Sequence, residues 1–191
     1  MSRLADIYVA PELIDGARGG DEVAQARLYS ELAPATFALI RRIVGARAVA
    51  EDLFQETLMT VFERLDAFRG EAPLGAWVRQ IAVSRCLMYL RSPWQRARLD
   101  LGARLDEELV ARSEPGRLPS DGLDMERALA SLSPTARAVV WLFEVEGYSH
   151  QEIARAFGRT TSFSKSQLAR AHRRLREWFE PSEERQPCAP L

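Results

Sequence analysis

The stretch from Gly147 to Phe179 constrains the fold of this chain most, because it predicts two helices and the turn between them. Ser149 and Glu152 have the S-x-x-E spacing of a capping box, which begins a helix. Gly158 then supplies the kind of residue that commonly ends one. Helical periodicity resumes after it and continues to Phe179. This order of capped helix, glycine turn and long helix predicts a helix-turn-helix, whose second helix can enter the major groove of DNA.

Charge is segregated in this stretch, although the whole chain of 191 residues has 26 basic and 27 acidic side chains, a net charge of −1. There is no Asp or Glu between Ile153 and Arg176, and the basic residues there are Arg155, Arg159, Lys165, Arg170, Arg173, Arg174 and Arg176. An acid-free run in a neutral protein indicates a surface for a polyanion. A solvated basic face, common on surface helices, is the alternative interpretation.

The long basic helix is predicted to have one inward and one outward face. We expect the inward residues to be Leu168, Ala171, Leu175 and Phe179. We expect the outward residues to be Arg159, Phe163, Ser166, Arg170, Arg173 and Arg174. Arginines along such a face can pair with phosphates, and those near the helix start can reach base edges.

The composition does not predict a secreted or membrane protein. Cys86 and Cys188 are too few for a disulfide framework, and neither has a partner at metal-binding spacing. Asp6 interrupts the only apolar stretch near the N-terminus, which makes a poor signal peptide. The longest unbroken apolar run, Ala138 to Phe143, is far too short to span a bilayer. We therefore expect a cytoplasmic protein without direct membrane insertion.

Strand patterns are nearly absent, and apolar residues recur at helical spacing in two parts of the chain. The sequence predicts an all-α fold of two small helical domains joined by a flexible linker rich in proline and glycine. The predicted boundaries are an N-terminal extension 1–19, a first domain 20–91, a linker 92–122, a second domain 123–180 and a disordered tail 181–191. The linker is expected to be partly helical around residues 104–112.

Three helical segments are predicted in the first domain. The first extends from Asp21 to Val44, ends at Gly45, and is broken or kinked at Pro34. The second covers about 49–65, with one stripe formed by Phe54, Leu58, Val61, Phe62 and Leu65 and another formed by Asp52, Gln55, Glu56 and Glu63. The third begins near Pro73 and ends near Arg91, with an inner stripe of Leu74, Trp77, Val78, Ile81 and Met88 and an opposite face of Arg79, Val83, Cys86 and Leu90.

The second domain is predicted to begin with helical periodicity at Leu123. Ser133 and Pro134 then read as an N-cap followed by proline at the first helical position. The helix that they open is expected to continue to about Glu146 and to end at Gly147.

The acidic stripe at Asp52, Gln55 and Glu56 has two interpretations, a protein docking surface or a plain solvated helix face. Paired carboxylates can act in acid–base catalysis, but the rest of an active site is missing. The sequence has no nucleophile elbow, phosphate-binding loop, dinucleotide loop or metal-ligand cluster. We therefore predict a non-catalytic protein with no cofactor and no bound metal.

Polar and basic residues surround Trp77 in the third segment. The nearby residues that could contact a nucleic-acid backbone or unstacked bases are Arg69, Arg79, Gln80, Ser84 and Arg85. Core packing is the role expected for Trp77 itself in this register. Apolar residues lie around more than one face of this segment, at Trp77, Val83, Leu87 and Leu90. Such a helix is either buried on several sides or binds a partner with its outer face.

Three stretches together resemble a bacterial sigma factor of the extracytoplasmic-function (ECF) group, the minimal two-domain type. Residues 50–68 contain an Asp-x-x-Gln-Glu signature at Asp52, Gln55 and Glu56. Residues 68–91 contain Phe-Arg-Gly-Glu, then Trp-Val-Arg-Gln-Ile-Ala, and end on Tyr-Leu-Arg. The third stretch joins Leu-Ser-Pro at Leu132, Gly-Tyr-Ser-His-Gln-Glu-Ile-Ala at Gly147 and Lys-Ser-Gln-Leu-Ala-Arg-Ala at Lys165.

The resemblance implies a function and a set of partners. The first stretch would bind the β′ clamp helices of core RNA polymerase through Asp52, Gln55 and Glu56. The second would melt and read the −10 promoter element through Arg69, Trp77, Arg79, Gln80, Ser84 and Arg85, and would capture a flipped base. The second domain would bind the β flap and read the −35 element through Arg159, Thr160, Ser162, Phe163, Lys165, Ser166, Gln167, Arg170, Arg173 and Arg174. An anti-sigma factor is the further partner that the resemblance implies.

Several positions depart from the family's pattern. Val83 and Ser84 stand where the family usually has Arg-Asn, and Met88 stands where it often has Asp, which puts the −10 sequence in doubt. In the last helix Thr161 and Ser164 replace the usual inward valines, and Lys-Ser-Gln replaces Lys-Ser-Arg. One hypothesis places Phe163 on the outer face, packed on a thymine methyl or sugar at −35; the alternative shifts the register by one residue and places Phe163 in the core.

Two other classes of protein fit parts of the pattern. A DNA-binding response regulator shares the motifs of the second domain, but would carry a receiver or ligand domain with alternating strands and helices upstream, and that pattern is absent here. A sigma mimic that sequesters an anti-sigma factor fits the departures at Val83, Ser84 and Ser164. The acid-free basic helix disfavours the mimic, because a decoy needs no DNA-facing arginines.

Overall fold

A computed structural model describes residues 3–92 and 123–179, and every regular element in these two ranges is a helix. The chain divides into two compact units, Met1–Ser92 and Pro93–Leu191. The predicted all-α, two-domain fold class is confirmed. The predicted helix around residues 104–112 and the predicted tail 181–191 lie outside the described residues.

Residues 3–92 of the N-terminal unit form four α-helices. They are α1 (Pro11–Arg18), α2 (Glu22–Val44), α3 (Arg47–Glu63) and α4 (Leu74–Arg91), with 3-10 turns at Leu4–Asp6 and Leu65–Ala67. Helices α2, α3 and α4 pack on one another. The largest fully buried side chains of this unit include Leu28, Leu32, Ile40, Ile43, Val61, Leu74 and Val78. Their removal from water is the main force that holds the unit together.

The predicted ends of α2 are confirmed, but the helix is not broken at Pro34. The Asp21 carboxylate accepts hydrogen bonds from the backbone N–H groups of Val23 and Ala24, and Gly45 ends the helix with φ 82°. The helix continues through Pro34 because it is buried on both sides of it, at Leu32 and at Leu39 and beyond. Packing of these flanks offsets the cost of roughly 3 kcal/mol that proline imposes on a helix interior.

Helix α4 corrects the predicted register of its faces. Met88, expected inside, is 54% exposed, whereas Val83, Cys86 and Leu90, expected outside, are buried. Trp77 is only half-buried, so the expectation of core packing holds for part of its side chain. The reason is that α4 packs against both α2 and α3. The helix is therefore buried on several sides, one of the two alternatives for a helix with apolar residues around more than one face.

The residues predicted as an N-terminal extension contain the first 3-10 turn and α1. Leu4, Val9, Ile14 and Ala17 are all buried. The carbonyl of Ile7 accepts a hydrogen bond of 3.0 Å from the backbone N–H of Gly75 at the start of α4. We call residues 3–18 the N-terminal strap.

The described part of the C-terminal unit, residues 123–179, contains four further α-helices. They are α5 (Leu123–Ala130), α6 (Pro134–Val140), α7 (His150–Phe157) and α8 (Thr161–Phe179), with a π-helical turn at Trp141–Val145 after α6. The Ser133 hydroxyl caps α6 by accepting from the Ala136 N–H, as predicted. The helix predicted up to Glu146 is thus present, but its last turn is π-helical rather than α-helical.

Helix α8 has most of its predicted inward residues inside. Leu168 and Ala171 are buried and Leu175 is half-buried. The prediction was wrong for Phe179, which is 44% exposed. Helical periodicity alone placed Phe179 on the inner face, but no residue from 176 to 179 is buried.

Candidate nucleic-acid and protein interfaces

An exposed acidic face lies along the middle of α3. Asp52, Gln55 and Glu56 are all exposed, and their spacing places them on one side of the helix. Met59 continues this face and is 63% exposed. A flexible, polarisable methionine beside carboxylates is typical of a surface that adapts to a protein partner. We call these four residues the α3 acidic face.

Glu56 also connects α3 to α4. Its carboxylate lies 3.6 Å from the Arg85 guanidinium, and Arg85 donates a hydrogen bond of 2.9 Å to the Thr60 hydroxyl. The structure therefore brings together a residue predicted to contact polymerase and one predicted to contact DNA. The Glu56 side chain is 54% exposed, and an exposed ion pair of this kind contributes only about 0–1 kcal/mol. Either side chain can therefore exchange this partner for another at small cost.

The other residues predicted to read the −10 element lie on α4 and on the loop before it. Trp77, Gln80 and Ser84 follow one another along one side of α4, and Gln80 and Ser84 are exposed. Arg69 is exposed on the loop, and Arg79 is half-buried. The structure brings Trp77 to the loop, because its ring lies 5.7 Å from the ring of Phe68, centroid to centroid.

A cavity of about 220 Å³ opens beside this loop. The loop wall is formed by Phe68, Arg69, Gly70 and Ala72, and the opposite wall by Tyr8, Val9, Pro11, Ile14, Asp15 and Arg18 of the N-terminal strap. Gly70 turns the loop with φ 74°. The part played by the strap in this cavity was not predicted. The only signal for it was Pro11 before apolar residues at helical spacing.

The helix-turn-helix of the C-terminal unit has the predicted ends. The Ser149 hydroxyl accepts from the Glu152 N–H at 3.2 Å, and the Glu152 carboxylate accepts from the Ser149 N–H at 2.8 Å. Gly158 forms the turn in the left-handed conformation, with φ 62°. Ile153, Leu168 and Ala171 are buried. Their burial sets the position of α8 relative to α7.

The side chains predicted to read the −35 element mostly face solvent. The exposed ones are Arg159, Thr160, Ser162, Lys165, Ser166, Arg170 and Arg173, and Gln167 is half-buried. Arg174 is also half-buried and lies 3.6 Å from the Glu177 carboxylate. Free N–H groups at the start of a helix attract anions, so this end of α8 suits phosphate contacts.

Phe163 lies neither fully on the outer face of α8 nor fully in the core, the two positions predicted as alternatives. It is half-buried, and its ring lies 5.8 Å from that of Phe157, centroid to centroid. The Arg159 guanidinium lies 5.9 Å from the same ring. The fully buried neighbour is Ser164, whose hydroxyl lies 3.0 Å from Nδ1 of His150. The register that points Ser164 inward thus leaves one side of the Phe163 ring on Phe157 and the rest accessible.

Comparison with known proteins identifies the class of protein to which these two units belong. Residues 28–96 match the family model for sigma-70 region 2, and residues 123–175 match that for sigma-70 region 4. The ECF RNA polymerase sigma factor SigL of Mycobacterium tuberculosis is 30% identical over 166 residues, which cover 85% of this chain and 93% of SigL. The chain belongs to the family of ECF sigma factors.

Other relatives and one solved structure are similar to this chain. BldN, an ECF RNA polymerase sigma factor of Streptomyces coelicolor, is 31% identical over 86% of the chain, which spans 63% of the length of BldN. Among solved structures, the sigma factor RpoE in complex with the anti-sigma factor NepR, from Bartonella quintana, is 26% identical with a TM-score of 0.49. It matches 80% of this chain and 94% of its own length.

Membership of this family excludes the alternative of a DNA-binding response regulator. A response regulator would not carry sigma-70 region 2 upstream of its DNA-binding domain, and residues 28–96 match that region. Sigma factors are specificity subunits of RNA polymerase rather than catalysts. Within the described residues, none of the helices has the length and apolar character needed to cross a membrane.

Proposed function

We propose that this protein binds core RNA polymerase and directs it to promoters by reading a −35 and a −10 element. The observation that carries the proposal is the pairing, in one ECF sigma chain, of the exposed α3 acidic face with an α8 whose exposed side is acid-free from Thr161 to Arg176. A decoy for an anti-sigma factor needs the first surface but not the second. A sigma factor that initiates transcription needs both.

The N-terminal unit would bind polymerase through the α3 acidic face. Asp52 and Glu56 supply negative charge for a basic partner surface such as that expected of the β′ clamp helices, and Met59 supplies an apolar contact. Complementary charge accelerates the encounter, whereas buried apolar contacts slow dissociation.

The −10 element would be read as a single strand at the loop and along α4. Trp77 offers a ring for stacking, and Arg69, Gln80 and Ser84 offer polar groups beside it. The cavity of about 220 Å³ is smaller than the roughly 300–1,000 Å³ typical of sites for drug-sized ligands, which suits a single flipped base.

The −35 element would be read as a duplex by α8, while the same unit contacts the β flap. Side chains at the start of α8, including Ser162, Lys165 and Ser166, would face the base edges. Arg170 and Arg173, farther along, would pair with phosphates. The accessible side of Phe163 leaves room for the predicted contact with a thymine methyl, and unchanged −35 affinity of a Phe163→Ala protein would disprove that contact.

An anti-sigma factor would regulate the protein by competing for its polymerase-binding surfaces. A competitor that covers the α3 acidic face would block polymerase without any change in α8.

The experiment is run-off transcription from pooled genomic DNA with purified core polymerase, with and without this protein, followed by sequencing of the 5′ ends. New starts that share spaced −35 and −10 elements are expected. An Asp52→Asn protein should lose core binding and these starts together. Glu51→Gln is the matched control, because Glu51 is also exposed on α3 but pairs with Arg47 at 2.8 Å, outside the acidic face.

Two outcomes would contradict the proposal in different ways. Stable core binding without new starts would favour the decoy. Absence of core binding by the wild-type protein would reject the sigma-factor function itself.

A further inference from the structure

The N-terminal strap contacts the backbone at the start of the loop proposed to read the −10 element. Arg18, the last residue of α1, donates from Nε and Nη2 to the Leu65 carbonyl, at 3.2 and 3.1 Å. Its Nη2 also donates to the Phe68 carbonyl. One guanidinium thus bonds to carbonyls at both ends of the 3-10 turn Leu65–Ala67. These carbonyls lie about fifty residues from Arg18 in the sequence.

Hydrogen bonds from a charged group to backbone carbonyls are about twice as strong as neutral ones. The Leu65 carbonyl also accepts the Phe68 N–H of the turn at 3.1 Å. The Phe68 carbonyl lies just past the end of the turn, where carbonyls lack a partner within the element and gain most from such a donor. The Arg18 side chain is only 28% exposed, so water competes weakly for these bonds. The planar guanidinium can donate to both carbonyls at once. A lysine has a single ammonium nitrogen and cannot reproduce this geometry.

The position of Phe68 determines the geometry of the site proposed for the −10 base. The Phe68 ring packs on Trp77, and the next residue, Arg69, lines the cavity. Arg18 and Ile14 line the cavity from the other side. A shift of the Phe68 backbone would therefore change both the stacking surface and the width of the cavity.

The strap is held in place at its other end by Gly75. The Gly75 N–H donates to the Ile7 carbonyl at 3.0 Å, and a Cβ at this position would come within 1.9 Å of the Leu4 carbonyl oxygen. The strap is therefore docked on both sides of the loop, at Gly75 and at Leu65. Residues 3–18 nevertheless lie outside the sequence matched by the region 2 family model, which begins at residue 28.

We infer that the N-terminal strap is a working part of the −10 site and that Arg18 is the positioning residue that sets the loop for base capture. Arg18 acts through the backbone of Leu65 and Phe68 and need not touch the base. The inference rests on the proposed function of the loop in reading the −10 strand. It adds a specificity determinant outside the sigma-70 regions.

The test compares Arg18→Gln with wild-type protein, each assembled with core polymerase on a promoter found by the run-off experiment. The probe is a fork DNA with a duplex −35 element and a single-stranded −10 element, either cognate or with one −10 base replaced by an abasic site. One stacked base is worth roughly 5- to 150-fold in affinity. Arg18→Gln should lower the preference for the cognate strand by at least about fivefold at one position, with core binding unchanged.

Two further variants separate positioning from loss of folding. Arg47→Gln is the matched control, because Arg47 is an exposed arginine of the same unit whose pair with Glu51, at 2.8 Å, lies on α3 alone. It should leave the preference within about twofold of wild type, as for other surface changes. Arg18→Lys keeps the charge but not the two-carbonyl geometry, and should give an intermediate preference at nearly wild-type Tm.

If Arg18→Gln is folded and keeps the wild-type base preference, Arg18 has no positioning role. If Arg18→Gln does not fold, Arg18→Lys decides in the same way: a wild-type preference rejects the inference, and a reduced one supports it. If the wild-type holoenzyme itself shows no base preference at −10, the proposed function of the loop fails and the inference with it.

Discussion

At Gly75 the N-terminal strap and α4 approach each other closely. We predict that Gly75→Ala lowers the free energy of unfolding by about 1–3 kcal/mol, the usual cost of forcing a group into a packed site. A Cβ there would lie 1.9 Å from the Leu4 carbonyl oxygen, so backbone must move. Urea unfolding of the full chain measures the change.

Gly19 provides the control for this prediction. It has φ −69°, and a Cβ there would meet no atom nearer than 3.4 Å. Gly19→Ala should be neutral or stabilise the protein by about 0.4–1 kcal/mol through the unfolded chain. Equal destabilisation by the two substitutions would contradict the close approach at Gly75.

At the scale of elements, the cap of α7 and the outer face of α8 have separable roles. We predict that Ser149→Ala lowers stability by about 1 kcal/mol, since it removes a capping-box hydroxyl. Ser166→Ala should leave stability within about 0.5 kcal/mol but weaken −35 binding, because Ser166 is exposed on the proposed reading face. Thermal unfolding and binding to a −35 duplex measure the two effects. If both variants bound the −35 duplex more weakly and neither changed Tm, the separate roles of Ser149 and Ser166 would be contradicted.

The charge of α8 leads to a prediction about salt. Arg170 is exposed on a helix face without acidic residues, and we expect it to pair with a phosphate. Arg170→Ala should weaken binding to all duplexes alike and reduce the slope of log K against log salt by about 1. Titration with KCl measures the slope. Exposed Arg41 of the N-terminal unit is the control, and its substitution should leave the slope of −35 duplex binding unchanged.

At the scale of the whole molecule, Cys86 reports on unfolding of the N-terminal unit. Burial raises the pKa of the Cys86 thiol to about 12, and the thiolate is the reactive form. A Cys188→Ser protein leaves Cys86 as the one thiol in the sequence. At pH 8 only about one folded molecule in 10⁴ would carry the thiolate, so we predict almost no labelling of the folded protein by a thiol reagent. Labelling should become rapid in urea. Fast labelling of the folded protein would show that Cys86 is accessible through local opening.

The same shift gives a pH dependence of stability. The unfolded thiol ionises above about pH 9, whereas the folded thiol stays neutral until about pH 12. The unfolded state therefore binds fewer protons in this window, and the contribution of Cys86 to stability falls as pH rises through it. Comparison with Cys86→Ala, measured by urea unfolding at pH 8 and pH 10, should show a smaller decline for the variant.

Short-range signals in the sequence were enough to predict most helix ends and the fold class. Asp21, Ser133 and Ser149 cap helices through bonds to residues two or three positions away. Gly45 and Gly158 end helices through their own backbone conformation. All of these interactions are made within one or two turns, so the local sequence contains the information. The motifs that identified the ECF resemblance are local in the same sense.

Only the tertiary structure decided which faces are buried and which distant residues share a site. The two apolar faces of α4 depend on its packing against α2 and α3, so one stripe of periodicity misplaced Met88 and Val83. The continuity of α2 through Pro34 depends on burial of its flanks. The contact of Arg18 with Phe68 joins residues fifty positions apart. The sequence by itself determined the helices, because their bonds are local; the strap, the cavity and the loop geometry came only from the fold, because they depend on contacts between elements that no local pattern specifies.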